Sequence, residues 1–117
     1  MLIITPKQEY SGLIEIEGEM DLHSREYIQR SIEKIYLAQN PFLILDLGKV
    51  SKIDSFALSV IAALKRKISA LGGKLILINL SPAVQSAFEI TRISKAFLIY
   101  ANLQEAQNYI TEHTTKN

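Results

Sequence analysis

The stretch from Phe42 to Leu71 constrains the fold more than any other part of the chain. It begins with Phe42–Leu47, which is apolar except for Asp46, and such a run is typical of a parallel strand covered on both faces. From Asp54 onward the apolar residues recur with the helical period of about 3.6. The polar segment 48–52 between these patterns predicts a bend. The stretch therefore predicts a buried strand, a bend and a long, mostly buried helix.

The inner face of that helix is predicted from its spacing, and Gly72 and Gly73 are expected to end it, since glycine tolerates the left-handed conformation at a helix end. Leu58 and Val60 widen the apolar face, so its first two turns are expected to be mostly buried. The predicted inner residues are Ala57, Ile61, Leu64, Ile68 and Leu71.

The remaining patterns predict the order β-β-α-β-α-β-α-β-α. Strands alternating with helices indicate an α/β fold with a mostly parallel central sheet, to which an N-terminal antiparallel hairpin adds an edge. Besides 42–47, strands are predicted at residues 2–5, 13–17, 74–79 and 96–100. Besides the helix at Asp54, helices are predicted at residues 25–39, from Ser81-Pro82 and from Asn102, and 113–117 is expected to be a frayed polar tail.

Length and charge limit the classes of function. The 117 residues indicate a single domain spanning 1–117, and the net charge of +1 gives no field suited to nucleic acid or to an anionic membrane. The chain has no cysteine, which excludes disulfides and thiolate metal sites. It also has no apolar run of the roughly 20 residues that a membrane span needs. A cytoplasmic protein without cofactor or metal is expected.

The start of the second predicted helix is the candidate functional site. Asp54 and Ser55 are both residue types that cap helices well. The free amide groups and the dipole of a helix N-terminus accept a phosphoryl group, so Ser55 could be phosphorylated without unfolding the helix. The added charge of about −1.5 to −2 would repel a partner docked there. The residues alone leave a second interpretation open, in which Asp54-Ser55 is only a cap.

Other polar residues give weaker signals. Asp21 is either a cap at the start of the first helix, a role that Ser24 could also take, or an acidic group near Ser55. His23 is expected to be a solvated loop residue, because no other metal ligand lies at a suitable spacing. Asp46 and Asp54 flank the predicted bend and could in principle act as a pair. No phosphate-binding loop, dinucleotide motif or nucleophile elbow is present, which disfavours an enzyme.

Several segments together resemble the STAS domain family, above all its free-standing anti-sigma factor antagonists. The resemblance covers nearly the whole chain, and it depends on the joint order and spacing of the segments. The matching segments are Gly18-Glu19-Met20-Asp21, Leu45-Asp46-Leu47, Ile53-Asp54-Ser55, Gly72-Gly73-Lys74-Leu75, Ser81-Pro82-Ala83-Val84 and 91–97.

This resemblance implies a partner-switching regulator of transcription. The unphosphorylated antagonist binds an anti-sigma factor that is also a serine kinase, and a serine phosphatase reverses the kinase reaction that breaks the complex. By position, the resemblance makes Ser55 the phosphoacceptor. It places Asp21, Asp54, Phe56, Ala57 and Ser59 at the partner-binding surface.

The segment after Ser55 departs from the family pattern. Phe56 stands where the family has a second hydroxyl residue, and Ala57 and Ser59 replace two glycines. Phe56 could be a docking anchor or a core residue. The departures motivate an alternative function, a STAS scaffold or accessory subunit of a larger assembly, such as a transporter, that works without phosphorylation. A third hypothesis is a receiver-like phosphoacceptor or small enzyme using Asp46 and Asp54.

Overall fold

A computed structural model describes residues 2–8, 10, 12–36 and 42–114 of the protein. The predicted element order is confirmed, with two short 3-10 helices, Leu22–Ser24 and Ser94–Ala96, in addition. The strands are β1 (Leu2–Pro6), β2 (Leu13–Met20), β3 (Phe42–Ile53), β4 (Lys74–Ile78) and β5 (Leu98–Tyr100), and the helices are α1 (Arg25–Tyr36), α2 (Ser55–Ala70), α3 (Pro82–Thr91) and α4 (Leu103–Thr114).

The five strands form one sheet in the order β1-β2-β3-β4-β5. β1 and β2 pair antiparallel as the predicted hairpin, and the other neighbouring strands pair in parallel. Each parallel pair is joined through a helix, because parallel strands need a long crossover connection. The predicted fold class, an α/β fold with a mostly parallel sheet and an antiparallel N-terminal edge, is confirmed.

The predicted bend at 48–52 is wrong, because β3 continues through it to Ile53. β2 supplies the missing partner, with Gly18 opposite Val50 and Met20 opposite Ile53. Two register shifts place extra residues of β3 in this pairing, as in β-bulges. Val50 is buried, whereas its neighbours Lys49 and Ser51 are exposed. The two bulges interrupt the two-residue alternation in this segment, so the sequence pattern did not indicate a strand. Because β3 extends to Ile53, its end lies beside the end of β2, and Asp54, the next residue, lies there too.

Helices cover the two faces of the sheet unequally. One buried cluster joins one face to α1, α2 and α3, with Leu45 and Ile61 fully buried at its centre. The other face forms a smaller cluster in which Ile44 and Ile76 pack under α4. Adjacent residues Ile44 and Leu45 thus enter opposite clusters, as the two-residue period of a strand requires.

The spacing of apolar residues in the sequence also predicts Tyr27, Ile28 and Ile32 on the inner face of the first helix, and Thr91 on that of the third. Leu71, Tyr27 and Thr91 lie on the surface instead. Leu71 is 65% exposed, since α2 ends at Ala70 and the next residue leaves the helical phase. Tyr27 on α1 is 47% exposed, whereas Ile28 and Ile32 on the same helix are buried as expected. Thr91 is exposed, and its hydroxyl donates to the carbonyl of Ala87 over 2.7 Å.

The bounds of the last elements also differ from the predictions. β5 begins at Leu98 rather than at residue 96, because Ser94–Ala96 forms a 3-10 helix whose Ser94 carbonyl accepts from the amide of Phe97 over 3.1 Å. The expected tail is wrong at His113 and Thr114, which continue α4. The expected end of α1 at residue 39 and the tail at 115–117 lie outside the described residues.

Candidate functional site

Asp54 is the N-cap of α2, which confirms one of the two capping roles that the sequence left open. Its backbone is extended, and its Oδ1 accepts the amide of Ala57 over 2.9 Å. Its own amide donates to the carbonyl of Met20 over 3.1 Å. Ser55 is consequently the first residue of the helix rather than its cap.

The carboxylate of Asp54 also binds the segment that follows β2. Its second oxygen, Oδ2, accepts the amide of Leu22 over 3.2 Å. Asp21 caps the 3-10 helix there, since its carboxylate accepts the amide of Ser24 over 3.1 Å while the hydroxyl of Ser24 accepts the amide of Asp21 over 2.8 Å. Asp21 and Ser55 therefore lie on one surface, a proximity that chain order could not show.

We call the exposed part of this region the junction surface, defined as residues 21–24 together with Asp54, Ser55, Phe56 and Ser59. Ser55 and Ser59 are both exposed, one helical turn apart. The hydroxyl of Ser59 donates to the carbonyl of Phe56 over 2.6 Å, so it reinforces the first turn of the helix. Among the described residues, no side chain forms a hydrogen bond with the hydroxyl of Ser55, and Ser55 is an exposed residue on the first turn of α2.

The structure answers the open question about Phe56. Its side chain is 50% exposed although it belongs to a helix whose other large apolar residues in the first two turns are buried. Ala57, by contrast, has no exposed surface and lies in the core. An atom without exposed surface cannot contact a partner, so the expectation that Ala57 binds a partner is corrected.

Sequence reasoning missed Leu22. Its side chain is 47% exposed, and its amide is held by Asp54. Two large apolar side chains, Leu22 and Phe56, are thus exposed on segments that the same carboxylate joins. No sequence pattern indicated this arrangement, because Leu22 belongs to no periodic pattern and Asp54, which accepts its amide, lies 32 residues away in the chain.

A shallow pocket of about 270 Å³ borders the junction surface. The pocket is lined by Asp21, His23 and Ser24 together with Leu2 of β1, Glu19 of β2 and Tyr27 of α1. His23 is exposed within the 3-10 helix rather than in a loop. Among the described residues, no group of three or more His, Cys, Asp or Glu side chains is arranged to hold a metal ion.

Asp46 and Asp54 do not form a pair. They are eight positions apart in the chain, with residues 47–53 of β3 between them, which at the rise of a strand corresponds to roughly 25 Å. The carboxylate of Asp46 instead accepts the amide of Gly48 over 3.0 Å and the side-chain amide of Asn79 over 3.2 Å. The expectation that these carboxylates work together is therefore wrong. The hydrogen bond from Asn79 to Asp46 instead connects β3 to the residue that follows β4.

In the part of the chain that the structure describes, every helix is too short or too polar to cross a membrane.

Comparison with known proteins places these features in a family. The model of the STAS domain family matches residues 3–106. The anti-sigma F factor antagonist of Paenibacillus polymyxa is 25% identical over 91 residues, which cover 77% of this chain and 78% of that protein. An anti-sigma factor antagonist relative from Thermotoga neapolitana is 33% identical over 64 residues, or 55% of this chain, and the match spans only 57% of that relative's length.

Solved structures share the fold at low sequence identity. An anti-sigma factor antagonist from Mycobacterium paratuberculosis superposes with a TM-score of 0.82 at 21% identity, covering 95% of both chains. The Bacillus cell fate determinant SpoIIAA in its phosphorylated form superposes with a TM-score of 0.65 at 22% identity, covering 92% of this chain and 99% of that one. At these identities the likeness establishes the fold.

Proposed function

Because this chain belongs to the STAS domain family, we propose that it is an anti-sigma factor antagonist that switches partners through phosphorylation of Ser55. The unphosphorylated protein binds an anti-sigma factor serine kinase on the junction surface and so releases a sigma factor. Its action is binding rather than catalysis. Phosphorylation by that kinase ends the binding, and a serine phosphatase restores it. The protein works in the cytoplasm, where its partners are.

The observation that carries this proposal is the position of Ser55. It is exposed on the first turn of α2, next to the N-cap Asp54 and on the same surface as Asp21. A phosphate at this position would face the positive end of the helix dipole, which stabilises the folded state. It would also add a dianion beside two carboxylates, so the surface would repel an approaching acidic or apolar partner. SpoIIAA, which shares the fold, exists in a phosphorylated form.

Phe56 and Leu22 supply the apolar part of the same surface. Complete burial of a phenylalanine side chain contributes about 1.5–3 kcal/mol, so covering the exposed half of Phe56 would contribute roughly 1 kcal/mol to binding. Aromatic anchors surrounded by a polar rim are typical of interface hot spots. Here Asp21, Ser55 and Ser59 form that rim. Phe56 is therefore the docking anchor of the proposed complex.

The test begins with the intact mass of the protein isolated from its own cells, followed by mapping of the modified peptide. A single phosphate on Ser55 is expected in a fraction of the molecules. The unmodified protein is then used to capture its anti-sigma factor, and the affinity is measured for Ser55→Asp and Phe56→Ala. Both variants should keep the fold. Ser55→Asp should weaken binding by at least tenfold, and Phe56→Ala by about fivefold, which corresponds to roughly 1 kcal/mol.

Ser86→Asp is the matched control, because it adds the same charge to an exposed serine on α3, outside the junction surface. It should bind as the native protein does. Protein without phosphate under all growth conditions, together with unchanged affinity of Ser55→Asp, would refute the switch. It would favour a scaffold that binds through Phe56 without modification.

A further inference from the structure

A second pocket lies far from the junction surface, between the C-terminal half of α2, the start of β4 and the approach to β5. Its volume is about 260 Å³. Three lysines from three different elements line it: Lys65 on α2, Lys74 on β4 and Lys95 on the second 3-10 helix. Ser69, which lines this pocket, lies fourteen positions after Ser55 on α2, which corresponds to roughly 20 Å along the helix.

The positive charges of this pocket are uncompensated within the described chain. The four ion pairs found among the described residues involve other cations, and no acidic residue lines the pocket. The remaining lining residues are Ser69 and the apolar group Leu75, Ala96, Phe97 and Leu98. Since the whole protein carries a net charge of only +1, three unpaired ammonium groups at one pocket are a local concentration of charge.

The dipole of α2 does not account for all three lysines. The C-terminus of a helix carries the equivalent of roughly −0.5 charge, which one nearby cation such as Lys65 is enough to balance. Lys74 and Lys95 lie on other elements and bring the lining to three positive charges. The sum remains clearly positive, so an anion in the pocket is attracted despite the nearby helix C-terminus.

The lining residues indicate which anion fits. Lysine acts as a compact point charge with three rotatable donors and is a common phosphate ligand, although the planar fork of arginine matches carboxylates and phosphates alike. All three cations here are lysines, and the hydroxyl of Ser69 adds a neutral donor. The volume lies below the roughly 300–1,000 Å³ of sites for drug-sized ligands. A small molecule with two or more phosphate charges meets these conditions.

We propose that this pocket, lined by Lys65, Ser69, Lys74 and Lys95, binds a small phosphorylated anion. Each lysine contributes an ammonium group from a different element, so the bound anion links α2, β4 and the segment before β5. Leu75 and Phe97, which also line the pocket, are almost fully buried. The site is separate from Ser55 and does not depend on the switch proposed above.

The test is a titration of the isotopically labelled protein with inorganic pyrophosphate, followed by amide NMR at constant ionic strength. The amides of Ser69, Lys74 and Lys95 should shift in a saturable way, with a Kd below about 1 mM, which is ordinary for a weak small-molecule site. Lys74→Gln and Lys95→Gln should each weaken the affinity by about fivefold, as expected for an exposed charge pair. Inorganic sulfate, with less charge, should bind more weakly than pyrophosphate.

Arg66→Gln is the matched control, because it removes one positive charge from the same helix at an exposed residue outside the lining. Its affinity should remain within twofold of the native value. Pyrophosphate should also raise the Tm of the native protein but not that of a variant with all three lysines replaced by glutamine. Shifts that do not saturate, equal binding of sulfate, or an equal loss in Arg66→Gln would overturn the proposal.

Discussion

At the scale of single residues, Asp54 connects two segments that are distant in the sequence. One carboxylate oxygen caps α2 through the amide of Ala57, and the other holds the amide of Leu22. The residue before the proposed phosphoacceptor thus fixes both the start of the helix and the position of the 3-10 helix beside it. This dual contact is a physical reason for an aspartate at this position that is independent of any contact with a partner.

Replacing Asp54 with alanine should therefore lower the free energy of unfolding by about 1–2 kcal/mol, since loss of an N-cap typically costs about 1 kcal/mol and the amide of Leu22 also loses its acceptor. Urea denaturation measures this change. Asp54→Asn should cost less, because asparagine also caps helices well. A variant Asp54→Ala as stable as the native protein would contradict the bridging role.

At the scale of elements, the second half of β3 determines where the junction surface lies. From Lys49 to Ile53, β3 pairs with β2 and not with β4, whose pairing with β3 stops at Asp46. The end of β3 therefore meets the end of β2. The pairing brings the start of α2 to the 3-10 helix that follows β2. A bend at 48–52, as the sequence predicted, would have left this arrangement undetermined.

Val50 tests the strand assignment. Its side chain is only 1% exposed, so Val50→Ala should lower the free energy of unfolding by about 2 kcal/mol through lost burial and a small cavity. Ser51→Ala is the control on the next, exposed position, and surface substitutions usually change stability by less than about 0.5 kcal/mol. Equal stabilities of the two variants, measured by chemical denaturation, would indicate a loop rather than a strand.

At the scale of the whole molecule, partly buried tyrosines, among them Tyr100 and Tyr109, pack at the edge of the smaller hydrophobic cluster under α4. Tyr100 packs near Tyr109, with ring centroids 5.7 Å apart. Burial raises the pKa of Tyr100, and the nearby Tyr109 and the carboxylates of Glu112 and Glu105 raise that pKa further. The phenolate is therefore disfavoured in the folded state. The unfolded chain, with an ordinary tyrosine pKa of about 10, loses this proton more readily.

The sign of the resulting pH dependence follows from linkage. The contribution of Tyr100 to the free energy of unfolding is fully present below about pH 10. It is lost as the pH rises through the raised pKa that Tyr100 has in the folded state. Tyr100→Phe should therefore show a smaller loss of stability between pH 9 and 11 than the native protein, measured as the urea midpoint at each pH. Parallel curves for the native protein and Tyr100→Phe would contradict this assignment.

The sequence alone determined the element order, the sheet class and the capping start of α2. These follow from local chemistry: strand and helix periods are set by backbone geometry, and a cap such as Asp54 or Ser81 acts on amides within one turn. The same local rules placed Ser55 at the helix start. They failed for β3, Leu71 and β5, because a partner strand, a helix end or a turn overrode the pattern there.

Only the tertiary structure decided which side chains share a surface. The hydrogen bond from the amide of Leu22 to the carboxylate of Asp54 joins residues 32 positions apart in the chain. The exposure of Phe56 and the burial of Ala57 depend on how α2 packs against the sheet. The lysine pocket likewise draws Lys65, Lys74 and Lys95 from three elements. Contacts of this kind depend on the register and packing of distant segments. A pattern confined to neighbouring residues does not contain that information.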